Sequence, residues 1–169
     1  MKSPVLVSSC NSFRTAIVRK TLPLPTRQVL KIYTFLTDVE FCKKHDVSIL
    51  DYGCGKCQSI NPSHWDNYDP FYAPHGLKKN KTYNMILCNY VLCTLPSELH
   101  NSILIDIQKR LKKNGIAFIS VRNDKPKQGW GISKRGTYQG RCTKLTLPIH
   151  YQSSLFRIYY LTPFNILLS

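Results

Sequence analysis

Acidic side chains are scarce in this chain. Among its 169 residues, 9 Asp and Glu stand against 24 Lys and Arg, which gives a formal net charge of +15 at pH 7. A surplus of positive charge of this size is typical of proteins that bind polyanions, above all nucleic acids. The composition therefore favours nucleic acid as a partner.

Long apolar runs are missing too. No stretch of 18 apolar residues occurs, so the sequence predicts no membrane span. The N-terminus lacks the basic flank and apolar stretch of a signal peptide. Internal repeats and low-complexity tracts are also lacking. The length, with 43% hydrophobic residues, predicts one domain with a packed core.

The 7 cysteines do not suggest a disulfide framework. Their number is odd and they are scattered through apparent core strands, which predicts free thiols and a cytoplasmic location. Cys54 and Cys57 form a Cys-x-x-Cys pair, but no second pair with zinc spacing follows, and the 5 histidines make no paired motif. We therefore predict no metal site, with small-residue packing preferred over redox use of the pair.

The most informative segment runs from Val47 to Gly55, Val-Ser-Ile-Leu-Asp-Tyr-Gly-Cys-Gly. An apolar run that ends in an acid and enters Gly-x-Gly predicts a buried strand and a tight turn at a ligand. A pyrophosphate loop needs a third glycine, where this chain has Gln58. The pattern favours a cofactor with an amine and no phosphate. Asp51 would face the ammonium side, and Gly53 and Gly55 would leave room for an adenosyl group.

A second acid stands where a neighbouring strand is predicted to end. Asp69 follows Gly55 after 14 residues and precedes Pro70. An Asp-Pro turn is the plain alternative, but position and residue type favour a ligand role. Between the two motifs, Asn61-Pro62 disfavours a long helix, so the first crossover helix is predicted to be stunted.

The middle of the chain alternates strand and helix. The run 83–92 predicts a strand buried on both faces, and 116–121 predicts another. Between them, Ser97 suits a helix N-cap, and an apolar stripe follows at helical spacing: Leu99, Ile103, Leu104, Ile107 and Leu111. Strand, helix and strand in this order predict a parallel sheet with crossover helices.

The segment 122–144 is basic, rich in glycine and interleaved with aromatic residues. Asp124 is its one acid. Because it follows the last parallel strand, it is predicted to overhang the carboxyl ends of the sheet, where basic groups would neutralise phosphates and aromatic rings would stack bases. A solvated basic loop is the alternative. The candidate nucleic-acid-binding residues are Arg122, Lys125, Lys127, Trp130, Lys134, Arg135, Tyr138 and Arg141.

These motifs resemble those of the class I S-adenosylmethionine-dependent methyltransferases across residues 47–121. The resemblance implies a Rossmann-like α/β fold, with a mostly parallel central sheet, an antiparallel C-terminal strand and helices on both faces. It implies S-adenosylmethionine as cofactor and S-adenosylhomocysteine as product, with both ribose hydroxyls bonded to Asp69. The implied cofactor-binding residues are Asp51, Tyr52, Gly53, Cys54, Gly55, Asp69, Pro70 and Asn89.

Further short motifs, in the same order, are similar to the methyltransferase group associated with DNA phosphorothioation systems. They comprise residues 14–17, 24–25, 51–55, 68–74 and 89–92. This likeness supports the cofactor fold and indicates DNA.

The family pattern divides the chain as a single methyltransferase-like domain, residues 1–169. An N-terminal extension (1–25) precedes a leading helix (26–44), which in the family packs on the sheet and helps close the cofactor pocket. The cofactor-binding core (47–121) precedes the basic substrate loop (122–144) and the C-terminal strands (145–169).

The target atom carries no diagnostic signature. After the fourth strand, amino-methylating DNA enzymes have Asp, Asn or Ser, then Pro-Pro and an aromatic residue. Here Asn89 and Tyr90 keep a polar and an aromatic residue without the prolines, and we predict both near the methyl group as catalytic residues. No Pro-Cys occurs, as a cytosine-C5 enzyme would need. A nucleic-acid methyltransferase is preferred over a small-molecule methyltransferase and over a non-catalytic protein that binds nucleic acid or a protein partner.

Overall fold

The structure is a computed structural model that describes residues 20–56, 60–123 and 145–164, together with the backbone of 131–132 and 138–139. The helices are α1 (Leu24–Leu30), α2 (Val39–Lys44) and α3 (His100–Lys109), with 3₁₀ turns at Thr34–Thr37, Leu92–Thr94 and Ser97–Leu99. The strands are β1 (Ile49–Tyr52), β2 (Asp66–Tyr68), β3 (Tyr83–Asn89), β4 (Leu111–Arg122), β5 (Gly131–Ile132), β6 (Tyr138–Gln139), β7 (Ile149–Gln152) and β8 (Phe156–Leu161).

Six of these strands form the central sheet, in the order β2-β1-β3-β4-β8-β7. The first four run parallel, β8 is antiparallel to β4, and β7 is antiparallel to β8. Strands β5 and β6 pair separately as a short antiparallel ribbon. The predicted fold class is confirmed: a Rossmann-like α/β fold with a mostly parallel sheet and an antiparallel C-terminal strand.

Helices cover both faces of the sheet, as predicted. On one face, α3 buries Ile103 and Ile107 against β1, β3 and β4. On the other face, α1 and the segment after it bury Val29 and Leu36 against the same strands. β3 is buried along both faces, since its side chains belong alternately to the two cores. Among the described residues, no helix has the length and apolarity needed to cross a membrane.

The prediction of one leading helix over 26–44 is wrong. The structure has α1, a 3₁₀ turn and α2 instead, because the backbone leaves the helical region at Tyr33 (φ −105°, ψ 58°) and again at Asp38 (φ −85°, ψ 107°). The Asp38 carboxylate accepts the Phe41 N–H at 2.9 Å and caps α2. Asp favours such a cap over a place inside a helix, which explains the break.

The helix predicted after Ser97 begins and ends differently in the structure. Ser97 opens a 3₁₀ turn and α3 follows from His100. Leu111, the last residue of the predicted apolar stripe, lies outside the helix. It is the first residue of β4 and pairs with Tyr83. Its side chain still belongs to the core that α3 covers, so the burial pattern alone did not distinguish helix from strand.

The Asn61-Pro62 pair predicts a stunted crossover helix between β1 and β2. The described residues 53–56 and 60–65 contain no α-helix. Beyond β2 the chain turns back along its own edge, where Gly76 lies so close to the Asn67 carbonyl that a Cβ at Gly76 would come within 1.5 Å of that oxygen. The loop after β2 therefore packs directly on the strand's backbone.

Candidate functional site

The Gly-x-Gly turn lies at the carboxyl end of β1 and is fastened to the end of β2. The Tyr68 carbonyl accepts the N–H groups of Gly53 (2.7 Å) and Cys54 (2.9 Å). Gly53 and Gly55 both have positive φ, 77° and 59°. The Gly55 N–H donates to the Asp69 carboxylate at 3.0 Å. The two acid motifs of the sequence are therefore in direct contact.

Asp69 follows β2 immediately and is 8% exposed. Besides the Gly55 N–H, its carboxylate accepts the N–H groups of Phe71 (2.9 Å) and Tyr72 (3.1 Å). A carboxylate offers about four acceptor positions, so three are filled by backbone. Among the described residues one acceptor position remains, which suits a ribose hydroxyl.

The end of β3 lies against the same turn. A Cβ built on Gly53 would come within 2.2 Å of the Val91 side chain. Residues 89–91 therefore stand beside the turn, as expected when the carboxyl ends of neighbouring parallel strands meet at one edge. The close approach, together with the positive φ, explains why glycine stands at position 53.

Asn89 ends β3 and is held by two hydroxyl groups. Its amide nitrogen donates to Thr26 Oγ1 at 2.9 Å, and its oxygen accepts from Ser120 Oγ at 3.1 Å. Thr26 and Ser120 are both 1% exposed. Helix α1 is thereby joined to the carboxyl edge of the sheet, and the Asn89 amide has a fixed orientation with one N–H and one lone pair left over.

Tyr90 follows with a left-handed backbone, φ 60°. Its N–H donates to the Ser120 carbonyl at 3.0 Å, and its half-buried ring packs against both cores. A non-glycine residue in this region costs on the order of 1–3 kcal/mol, and such residues cluster at functional sites. The backbone of the predicted catalytic residue is thus strained and held from both sides.

Asp51 is 4% exposed on the face of the sheet that α1 covers, and its carboxylate accepts from the Asn61 amide at 2.7 Å. The same amide also donates to Asn67. The Asn61 Oδ1 atom is buried and has no hydrogen-bond partner within the part of the chain that the structure describes. A buried acceptor beside a carboxylate matches a cationic donor, so these residues fit the ammonium end of an amino-acid-like cofactor.

The backbones of Tyr52 and Cys54 connect the turn to Tyr68 at the end of β2. The Tyr52 side chain is 3% exposed on the opposite face, where its hydroxyl donates to Asp106 at 2.9 Å. Burial, followed by the Asp106 charge, raises the pKa of Tyr52. The Cys54 thiol is buried and donates to the Gly55 carbonyl at 3.6 Å. Pro70 is half-buried after Asp69. The sequence motif predicts the turn, but only the sheet shows on which face each side chain lies.

The basic segment begins at the same edge. Arg122 ends β4, and its N–H donates to Cys93 Sγ at 3.4 Å. Strand β6 approaches the 3₁₀ turn that follows Asn89 and Tyr90, which places the backbone of Tyr138 on this side of the sheet. The other residues predicted to bind nucleic acid lie outside the described residues: Lys125, Lys127, Trp130, Lys134, Arg135 and Arg141.

No group of three or more His, Cys, Asp or Glu side chains arranged for a metal ion occurs in the described part of the chain. Cys57, the second member of the Cys-x-x-Cys pair, lies outside that part.

Sequence reasoning missed three polar residues of the site: Thr26, Asn61 and Ser120. The sequence predicts only that Asn61 disfavours a helix, since Asn-Pro is typical of turns. Thr26 and Ser120 sit in apolar surroundings, where a lone hydroxyl gives no pattern. Their partners lie far along the chain, so only the packed sheet reveals them.

No family model matches the chain, and no curated protein matches it. Several solved structures do match. The DhpI-SAH complex covers 80% of this chain and 92% of its own, at 5% identity and a TM-score of 0.48. CalO1, a methyltransferase of calicheamicin biosynthesis in its SAH-bound form, covers 76% of this chain and 45% of its own, at 14% identity and a TM-score of 0.42. PKMT2 from Rickettsia typhi covers 47% of this chain at 23% identity and a TM-score of 0.33, and the match spans 21% of that protein.

Proposed function

We propose that the chain binds S-adenosylmethionine at the carboxyl edge of β1, β2 and β3 and transfers its methyl group to a nucleic acid. The observation that carries the proposal is the convergence of three strand ends. The Gly53–Gly55 turn is bonded to Asp69 after β2 and packs on Val91 after β3. Ligands bind at this edge of open parallel sheets.

Each residue of the site has a distinct role in binding. The two glycines let the cofactor approach the backbone, and Asp69 has one acceptor position for a ribose hydroxyl. Asp51 and the free Asn61 oxygen suit the ammonium group. When bound, the cofactor supplies an electrophilic methyl group on a sulfonium. Asn61 thereby joins the residues implied by the family resemblance.

Asn89 and Tyr90 are the proposed catalytic residues. An amide side chain neither takes up nor releases a proton near neutral pH, so Asn89 would orient the nucleophile by its remaining N–H or oxygen. Thr26 and Ser120 fix that amide in advance, and correct orientation supplies much of the rate in a bimolecular transfer. Tyr90 lies at the same edge, with its left-handed backbone held by the Ser120 carbonyl.

Nucleic acid is the proposed substrate because of charge. The net charge of +15 favours a polyanion, and Arg122 brings the basic segment to the cofactor edge. A positively charged segment beside the methyl group would hold a phosphate backbone across it. This charge supports the nucleic-acid proposal over a small-molecule substrate, which needs no basic surface.

Calorimetric titration with S-adenosylmethionine and S-adenosylhomocysteine tests the cofactor site. We expect saturable binding by the wild type, at least tenfold weaker binding by Asp51→Asn, and wild-type binding by Asp46→Asn. Asp46 is a matched control because its side chain is 95% exposed near the opposite edge. Thermal melts check that each variant is folded. No saturable binding by the folded wild type would overturn the proposal.

Methyl transfer is then measured with radiolabelled cofactor and mixed-sequence DNA and RNA. We expect incorporation into nucleic acid, reduced at least tenfold in Asn89→Ala at saturating cofactor, where a change in cofactor affinity does not affect the rate. Tyr160→Phe, on β8, serves as the control. Cofactor binding without transfer to DNA or RNA would refute the substrate, leaving either a small-molecule enzyme or a binding protein.

A further inference from the structure

A second candidate site lies at the amino edge of the sheet, opposite the Gly53–Gly55 turn. There a cleft of about 200 Å³ opens between the end of α2, the start of β1 and the loop before β3. The residues that give it its chemical character are Lys43, Asp46, Ser48, His64 and Lys81. Unlike the cofactor edge, this region plays no part in the proposed methyl transfer.

Lysines from the end of α2, the loop before β3 and the start of β4 lie near this cleft. Lys81 and Lys78 each bond one oxygen of Asp66, at 2.7 and 2.9 Å, and Lys112 bonds Asp46 at 2.8 Å. The hydrogen bond and charge of Lys112, with a smaller contribution from Lys81, lower the pKa of Asp46. The acids therefore hold the ammonium groups in place at the rim of the cleft.

The charge of this region is positive beyond these pairs. Lys44, Lys79 and Lys113 are exposed on the same three segments, beside Lys43, which is paired with Glu40 at 3.2 Å. The lysines outnumber the acids on these segments. A single small anion would use only part of such a surface, whereas a strand with repeated phosphates would use all of it.

His64 supplies an independent indication of a ligand. Its Nε2 lies 2.9 Å from the Leu36 carbonyl, which can only accept, so Nε2 carries the hydrogen. Its Nδ1 is buried and has no hydrogen-bond partner among the described residues. A buried polar atom without a partner is costly, and a hydrogen-bonding ligand in the cleft would remove that cost.

From these contacts we infer that the cleft binds a backbone phosphate of a nucleic acid, with the flanking lysines on neighbouring phosphates. The site is separate from the cofactor edge, and it does not depend on methyl-transfer activity. In an active enzyme it would hold a length of nucleic acid at a distance from the reacting group.

The test is fluorescence anisotropy with labelled mixed-sequence DNA and RNA of about 20 nucleotides, at several salt concentrations. Lys43→Gln/Lys81→Gln should bind at least tenfold more weakly at low salt. Its log–log salt slope should fall by about 0.7–0.9 for each phosphate that the variant no longer neutralises. The matched control is Lys20→Gln/Lys31→Gln, which removes the same charge outside the cleft. The charge-conserving Lys43→Arg/Lys81→Arg should keep the wild-type slope.

Wild-type affinity and slope in a folded Lys43→Gln/Lys81→Gln would overturn the inference. So would an equal loss in the Lys20→Gln/Lys31→Gln control, because net charge alone would then explain binding. Displacement of the labelled strand by inorganic phosphate at low millimolar concentration, with no effect of equal ionic strength from chloride, would identify a free-phosphate site instead. These outcomes leave the cofactor titration unaffected, so either proposal can fail alone.

Discussion

Gly53 is the residue on which the geometry of the candidate cofactor turn depends most directly. It combines a left-handed backbone with a space that Val91 has already filled. Either feature alone would disfavour a side chain, and together they leave no easy way to admit one. The glycine thus reflects both the turn and the neighbouring strand end.

Gly53→Ala should lower the free energy of unfolding and weaken cofactor binding. The left-handed backbone costs about 1–2 kcal/mol for a residue with a Cβ, and the contact with Val91 adds about 1–3 kcal/mol of overpacking. Urea unfolding and cofactor titration measure the two effects. Gly53→Ala/Val91→Ala should recover the overpacking part and not the backbone part. No recovery would show that the two positions do not press on each other.

The residues of the site differ in how well the sequence predicts them. Asp51, Gly53 and Gly55 could be predicted because neighbouring residues in the sequence indicate a strand followed by a turn. Asp69 was found by position, but its three backbone N–H partners were not, since they depend on how the chain folds back after Pro70. Asn61 was missed because its partners are two strands that meet only in the sheet.

At the scale of elements, a buried polar contact fastens α1 to the sheet. The Thr26 hydroxyl accepts the Asn89 amide beside the apolar contacts of Val29. The contact therefore determines where the helix meets the carboxyl edge, and it couples α1 to a proposed catalytic residue.

Thr26→Val should destabilise the fold by about 1–3 kcal/mol, because it leaves the Asn89 amide without its partner in a buried place. Urea unfolding measures this loss. Thr37→Val is the matched control, since Thr37 is exposed and bonds only the Thr34 carbonyl at 3.1 Å. Equal unfolding energies for the two variants would contradict the role of the Thr26 contact.

Element types were predicted better than element ends. The runs at 49–52, 83–89 and 116–121 fall inside strands because continuous apolar residues suit a strand covered on both faces. The prediction of one leading helix was wrong because the apolar spacing continues across Asp38, where the capping side chain ends the helical backbone. The prediction that Leu111 belongs to the helix was wrong for a related reason, since a buried apolar residue suits a helix or a strand.

On the scale of the whole molecule, Asp66 links β2 to the loop before β3. Burial raises the pKa of its carboxyl, but hydrogen bonds from Lys81, Lys78 and the Tyr83 hydroxyl outweigh that effect, so the pKa lies below its ordinary value. A depressed pKa in the folded state stabilises the fold above the unfolded pKa. That contribution disappears as pH falls through the folded value.

The free energy of unfolding should therefore decrease as pH drops below about 4. Asp66→Asn should be less stable than wild type at pH 6 and should show a flatter decline from pH 5 to pH 3. Urea unfolding at each pH measures both curves, with the exposed Asp38→Asn variant as a comparison for an acid that does not bond a lysine. Parallel curves for wild type and Asp66→Asn would refute the link.

The short strand β2 stands at one end of the sheet, and its outer side is covered by the loop at Gly76. An uncovered edge strand presents unpaired backbone groups that can recruit a strand from another molecule. Here the cover fits only because residue 76 has no side chain, so any larger residue would lift the loop away from Asn67. The missing side chain of Gly76 thus lets the loop cover the β2 edge, and we expect a larger residue there to expose that edge to other molecules.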